Sequence, residues 1–291
     1  RPGPSARSGG SGIRWTIRRL LATPQGLVGT ALLALELLIV ILGPFLAPYN
    51  PDGIGAAPVQ GSSAAHLLGT DTYGRDVLSR VLVGGGSVIV LPLLAVITSV
   101  LIGSIVGLVS GYLRGRFDAV VTWVLDVALA VPTYLSVIVI IAGFGTGQVV
   151  VVTAVAAVYA PYIARVLRAA TQAIAPRDYI LAARARGESL RFILFREILP
   201  NIVPTLLVEI ALRLTYAVIF IASLSYLGLG VQPPSANWGV MVAENRLLLL
   251  IHPIVVIAPT ILIGLLAVAI NLIADALTIV FGDQITERIM L

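Results

Sequence analysis

The stretch PRDYILAARARGESLRFILFREILPN, residues 176–201, decides how the rest of the chain reads. It carries Arg177, Arg184, Arg186, Arg191 and Arg196, with Arg168 just before it, in a chain that is 58% hydrophobic and only 11% charged. Pro176 suits a first helical turn and Asp178 places negative charge near a helix N-terminus. Gly187 supplies a stop, predicting a short helix of about ten residues. A second short helix is expected from Glu188 and Ser189 to Leu199, with Pro200 and Asn201 opening the next apolar run. Both pieces are too polar to cross a bilayer. Ala182 and Ala183 are small enough to let another protein's surface approach closely. The alternative is an amphipathic segment resting on lipid head groups, drawn there by arginine.

Outward from this segment the chain is a membrane protein. Its 291 residues have a mean hydropathy of +1.01, more apolar surface than one soluble core of that size buries. A bilayer core of about 30 Å needs roughly 20 apolar residues in a helix. Six spans are expected, at about 26–47, 87–112, 119–143, 147–167, 202–225 and 254–281. Runs such as GQVVVVTAVAAVYA are β-branched, but in lipid a helix satisfies its own backbone and an isolated strand does not. The fold class is therefore all-α with six transmembrane helices. A tail over 1–25, partly disordered from its RPGPSARSGGSG opening, precedes a membrane domain over 26–283 and a short tail over 284–291. The first apolar run is long enough to remain as an anchor, so no cleaved signal peptide is expected.

Every one of the 19 basic residues is arginine. With the N-terminus inside, fifteen fall on the cytoplasmic side; Arg75, Arg80 and Arg246 fall outside and Arg213 lies within the fifth span. Both termini and the 176–201 segment are thereby cytoplasmic. The net charge of +5 does not suggest nucleic acid, because the arginines are scattered between apolar spans. There is no cysteine, and His66 and His252 stand apart from any carboxylate set, so no metal site is expected and both histidines read as loop residues.

The 176–201 segment resembles the cytoplasmic signature of ABC importer permeases, E-A-A, three residues, G, and about a dozen residues to L-P. Here it stands as Leu181-Ala182-Ala183, Gly187 and Leu199-Pro200-Asn201. HLLGTDTYGRDVLSR (66–80) and FIASLSYLGLGVQPPSANWG (220–239) are similar to two further motifs of the dipeptide, oligopeptide and nickel permeases. The resemblance spans about residues 20–280 and implies the type I importer permease fold in a bacterial inner membrane. It implies a coupling helix, with Tyr179, Ala182, Ala183, Arg184, Gly187 and Pro200 as its residues, seated in a separate ATP-hydrolysing subunit. It also implies a homologous second permease, two ATPase subunits or a fused one, and an extracytoplasmic peptide-binding protein, for which Asp71, Arg75, Asp76 and Trp238 are candidate contacts. The chain departs from the family at Leu181, where the acidic residue is expected, at Glu197, in place of histidine, and at Gly86, Trp123 and Thr278, in place of arginine.

No G-x-x-x-x-G-K-[ST] loop is present, so ATP and its magnesium belong to partner subunits and the chain itself is no enzyme. Within the spans, Glu209 and Arg213 are four apart and share a helix face. An arginine at the bilayer centre costs roughly 2.5–3.5 kcal/mol, so this pair faces protein or water: a contact between permeases, or a path for a peptide carboxylate. Asp126 is expected to pair with Arg114, Arg116 or a neighbouring helix; Asp275 has a family-like context, and Glu36 stands alone in the first span. The expected cargo is a dipeptide or oligopeptide, with nickel or another small solute as the alternative. An ion-driven secondary transporter would show an internal repeat, and none is visible. An intramembrane hydrolase would need a Ser/His or paired-Asp arrangement, and none convinces.

Overall fold

The structure is a computed structural model that describes residues 13–289, with the side chains of 15–282; the expected disorder at the start of the N-terminal tail lies outside the described residues. Every regular element is helical among them. α1 (Ile13–Ala22) already forms within the expected tail. Thr23 then caps α2 (Pro24–Leu46), its Oγ1 accepting from the Gly26 amide at 3.1 Å, with Pro24 in the first turn where a missing N–H costs nothing. α3 (Val77–Leu113) begins ten residues before the expected 87, because Asp76 caps it there by accepting from the Ser79 amide at 2.8 Å. Glycines 84 and 85 do not break it; they make room for a tryptophan ring, and a Cβ at Gly85 would lie 2.5 Å from Trp238.

The expected third span, 119–143, is broken. α4 (Gly115–Ala130) and α5 (Thr133–Phe144) meet at 88°. Pro132 sits at the corner, where it removes a helical N–H and its ring excludes the helical conformation at Val131. α6 (Gln148–Ile174) follows and packs on α3 along most of its length. Gly103, Gly107 and Gly111 form one stripe on α3, and a Cβ on each would lie 2.6–2.7 Å from the carbonyls of Ala160, Ala164 and Arg168 in turn. The matched increments show that α3 and α6 run parallel, so the bent α4–α5 pair carries the chain back across the bundle between them. Lipid tails offer little hydrophobic drive for helix association, and small residues that let backbones touch provide it instead. The remaining crossings are α9 (Leu199–Tyr226) and α11 (Ile254–Ile289), the latter packed on α2 and α9. The backbone of the expected 284–291 tail continues α11 as far as Ile289.

The two helices expected between 176 and 199 take a different form. α7 (Asp178–Ala185) is separate, but Pro176 ends α6 in a turn and is not part of α7. The second does not stop at Leu199. α8 (Leu190–Phe192), capped by Ser189, runs through a π-helical turn (Ile193–Ile198) straight into α9, making one rod of 37 residues, Leu190–Tyr226. Pro200 is accommodated because the wider π turn, closed by the Leu199 amide donating to the Leu194 carbonyl, spreads the backbone that its ring would otherwise strike.

Candidate functional site

At the arginine-rich end, α7 lies against the bundle through Ile180 and Ala183, both buried with Leu108, Leu167, Ile193 and Ile198 in one apolar cluster. Tyr179, Leu181, Ala182 and Arg184 face outward. This corrects the sequence expectation in one respect: Ala182 and Ala183 do not form a common contact surface. Ala183 is small because it packs on the chain's own π turn, and only Ala182 is available to a partner. Gly187 has φ +77°, and the turn around it closes as a Schellman motif. The Glu188 amide donates to Ala183 at 3.2 Å and the Gly187 amide to Arg184 at 3.0 Å. A Cβ at Gly187 would meet nothing, so glycine stands here for its backbone alone.

Midway along α9, the Arg213 Nε donates to Glu209 Oε1 at 2.6 Å, one turn apart. Arg213 also faces the ring of Tyr162, its guanidinium carbon 4.6 Å from the centroid. A cavity of about 400 Å³ opens beside it, lined by Tyr134 at the bend of α5, Tyr159 and Tyr162 of α6, and Arg213, Tyr216 and Phe220 of α9. Four of the chain's nine tyrosines meet at this one place.

The other intramembrane acids divide. Asp126 pairs with Arg165 of α6, not with Arg114 or Arg116, since Arg114 donates to the Gln172 carbonyl instead. Asp118, which drew no attention in the sequence, accepts from Arg168 Nη2 at 2.7 Å and from Gln172 at 3.1 Å, tying α4 to α6. Asp275 is exposed and accepts from Asn271 at 3.5 Å. Glu36 is buried, and neither of its oxygens has a hydrogen bond among the described residues.

The four candidate contacts for a binding protein are not a surface. Asp71, Arg75, Asp76 and Trp238 are 1%, 4%, 3% and 0% exposed. Arg75 bridges Asp71 and Glu244 at 2.6 Å each, and Arg80, wholly buried, reaches Glu244 at 3.3 Å, so these charges lock the 47–76 loop onto α10 (Trp238–Asn245). Burial alone would lower Arg75, but the hydrogen bond to Glu244 and the charges of Asp71 and Glu244 outweigh it and leave its pKa raised. Asp76 holds the α3 cap and accepts from His66 at 2.9 Å; His66 is thereby a paired residue and not a free loop histidine. His252 packs on the same loop, 3.1 Å from the Leu68 carbonyl. Trp238 donates to the Val81 carbonyl at 2.8 Å over the glycines of α3. Short alternations of charge and glycine look the same in sequence whether they face a partner or each other. The side chains exposed at this end are mixed, the apolar Leu247, Leu250 and Ile251 beside the polar Asp52, Gln60 and Arg246.

The chain matches the binding-protein-dependent transport system inner membrane components over residues 99–285, and the N-terminal transmembrane domain of oligopeptide transport permease C over residues 14–67. It is 36% identical to the glutathione transport system permease protein GsiD of Pectobacterium atrosepticum, across 90% of this chain and 86% of that one. It is 34% identical to the probable D,D-dipeptide transport system permease protein DdpC of Escherichia coli, across 95% and 92%. The di/tripeptide transport system permease protein DppC of Pseudomonas aeruginosa is 35% identical, across 86% and 84%. Among solved structures, a chain of the MetNI methionine ABC transporter in an inward-facing conformation shares the fold, with a TM-score of 0.53 at 20% identity over 68% of this chain and 96% of that one.

Proposed function

Because the chain belongs to the family of binding-protein-dependent transport system inner membrane components, and is the permease of a peptide-family ABC importer, we propose that it forms half of a path for dipeptides or other short peptides. It is a multi-pass inner-membrane component without catalysis of its own, and ATP is bound by partner ATPase subunits. The system depends on an ATPase and a binding protein; a homologous second permease completes the path in this reading.

The observation that carries the mechanism is the unbroken rod from Leu190 to Tyr226. α7 presents Tyr179, Ala182 and Arg184 to the cytoplasmic ATPase and grips the base of the rod through Ile180 and Ala183. When ATP closes the ATPase dimer, the α7 helices of the two permeases are drawn together. The rod turns with α7, and Glu209 and Arg213, carried on it, open toward the outer face to receive the peptide. Hydrolysis releases the ATPases and resets the path inward. The short rigid cap at Gly187 keeps α7 from sliding along its seat.

The test is uptake in proteoliposomes holding this chain, its partner permease, the ATPases and a loaded binding protein. ATP-dependent uptake of a labelled dipeptide, competed by unlabelled di- and tripeptides, glutathione among them, and not by nickel, is expected. Uptake driven by a proton or sodium gradient without ATP, or competition by nickel alone, would contradict the proposal.

A further inference from the structure

We propose that the tyrosine-lined cavity on α9 is a subsite for the carboxylate end of the cargo, with Arg213 as the group that reads it. This rests on the reading of the chain as half of a peptide path. Arg213 lies about 20 Å from either end of α9, in the middle of a helix long and apolar enough to cross the bilayer, by the helical rise of about 1.5 Å per residue. A guanidinium there cannot face lipid without a large cost, so the surface it shares with Tyr134 and Tyr216 is turned to water or protein. Tyr134 and Tyr216 are themselves 45% and 56% exposed, so this face is open in the single chain.

The pairing of Arg213 is incomplete in an informative way. Glu209 takes only its Nε, and among the described residues neither terminal nitrogen has a hydrogen-bond acceptor. The ring of Tyr162 beneath it, and Tyr159 at 5.9 Å, hold the fork in place without consuming its donors. Four N–H bonds on a fixed planar fork match a carboxylate in bidentate geometry. Apart from Thr133 and Ile219 the rest of the wall is aromatic and makes few directed hydrogen bonds. Its one polar pair is the Tyr162 hydroxyl with Thr133 Oγ1, at 3.3 Å. Such a wall accepts many side chains by ring contact. The volume of about 400 Å³ falls within the roughly 300–1,000 Å³ of small-ligand sites. The chemistry selects a short peptide with a free terminal carboxylate and is tolerant of its side chains.

The experiment compares uptake of alanylphenylalanine with that of its C-terminal amide by the assembled importer. The binding protein's own preference is common to every permease variant and cancels when the acid-to-amide ratio of a variant is divided by that of the wild type. Arg213→Gln is expected to lower this ratio about tenfold, as loss of a charge-assisted hydrogen bond does. Because that change leaves Glu209 unpaired, the double change Glu209→Gln with Arg213→Gln is made alongside it, and the same loss of preference is expected. An equal fall in uptake of acid and amide, or an unchanged ratio in the double variant, would overturn the subsite and give Arg213 a purely structural part. Absence of ATP-dependent uptake of both compounds by the wild-type assembly would remove the peptide reading, and the subsite with it.

Discussion

Gly107→Leu is expected to leave almost no folded chain in the membrane. The Cβ alone would lie 2.6 Å from the Ala164 carbonyl oxygen and 3.0 Å from the Arg168 amide nitrogen. Both are backbone atoms of a helix held parallel to α3 over several turns, so neither can step aside as a side chain would. Ordinary overpacking costs about 1–3 kcal/mol because side chains rearrange; here the two helices must separate, and Gly103 and Gly111 lose their contacts with them. The control is Gly86→Leu on the same helix, where a Cβ meets nothing within 4 Å. Monodisperse chain recovered in detergent should fall more than about tenfold for the first and stay near wild type for the second. Equal recovery of the two would mean that the stripe does not hold the bundle together.

The second large effect separates two adjacent alanines. Ala182→Arg adds a long cation on the outward face of α7 and should leave the fold intact while abolishing both co-purification of the ATPase and ATP-dependent uptake. Ala183→Arg forces a charge into the cluster of Ile180, Ile193 and Ile198, and should instead reduce recovery of folded chain, since an unpaired buried charge is strongly destabilising. If Ala182→Arg retained ATPase binding and uptake, α7 would not be the docking surface, whatever Ala183→Arg did.

Much of this was legible in the sequence, and the failures have physical causes. The apolar runs, in lipid where a helix satisfies its own backbone, lead to an all-helical bundle, and the spacing of Glu209 and Arg213 leads to their pairing on one face. Gly187 stood out because a glycine after a short helix is a stop, which its positive φ explains. The kink at Pro132 was there to be read, as proline ends a helix, but a continuous run of apolar residues hid it. The opposite happened at Pro200: a proline that looks like a boundary is absorbed by a π turn, which only the packing of Ile193 and Leu194 on α7 reveals. The stripe Gly103, Gly107, Gly111 had a readable signal in its spacing of four. Its partner on α6 had none, because which helices touch is a tertiary fact. For the same reason Asp71, Arg75 and Asp76 read as a charged surface; their partner Glu244 lies far away in sequence and turns them into a buried lock. The tyrosine cavity was equally hidden, since its rings come from three separate helices.

The central claim is that the arginine-rich end and the cavity move as one body. The chain has no cysteine, so spin labels can be placed at Arg191→Cys and Leu227→Cys without background from it, in an importer whose other subunits have had any cysteines replaced. The two positions lie about 54 Å apart, Arg191 within the continuous helix and Leu227 capping its far end. In the assembled importer, pulsed electron–electron resonance should give the same narrow distance with and without ATP, while the distance between two copies of the Arg191→Cys label, one on this chain and one at the matching position of the second permease, shortens when ATP binds. An intrachain distance that changes or broadens with ATP would mean that the π turn at 193–198 is a hinge, and that the rod does not carry the ATPase's motion to Arg213.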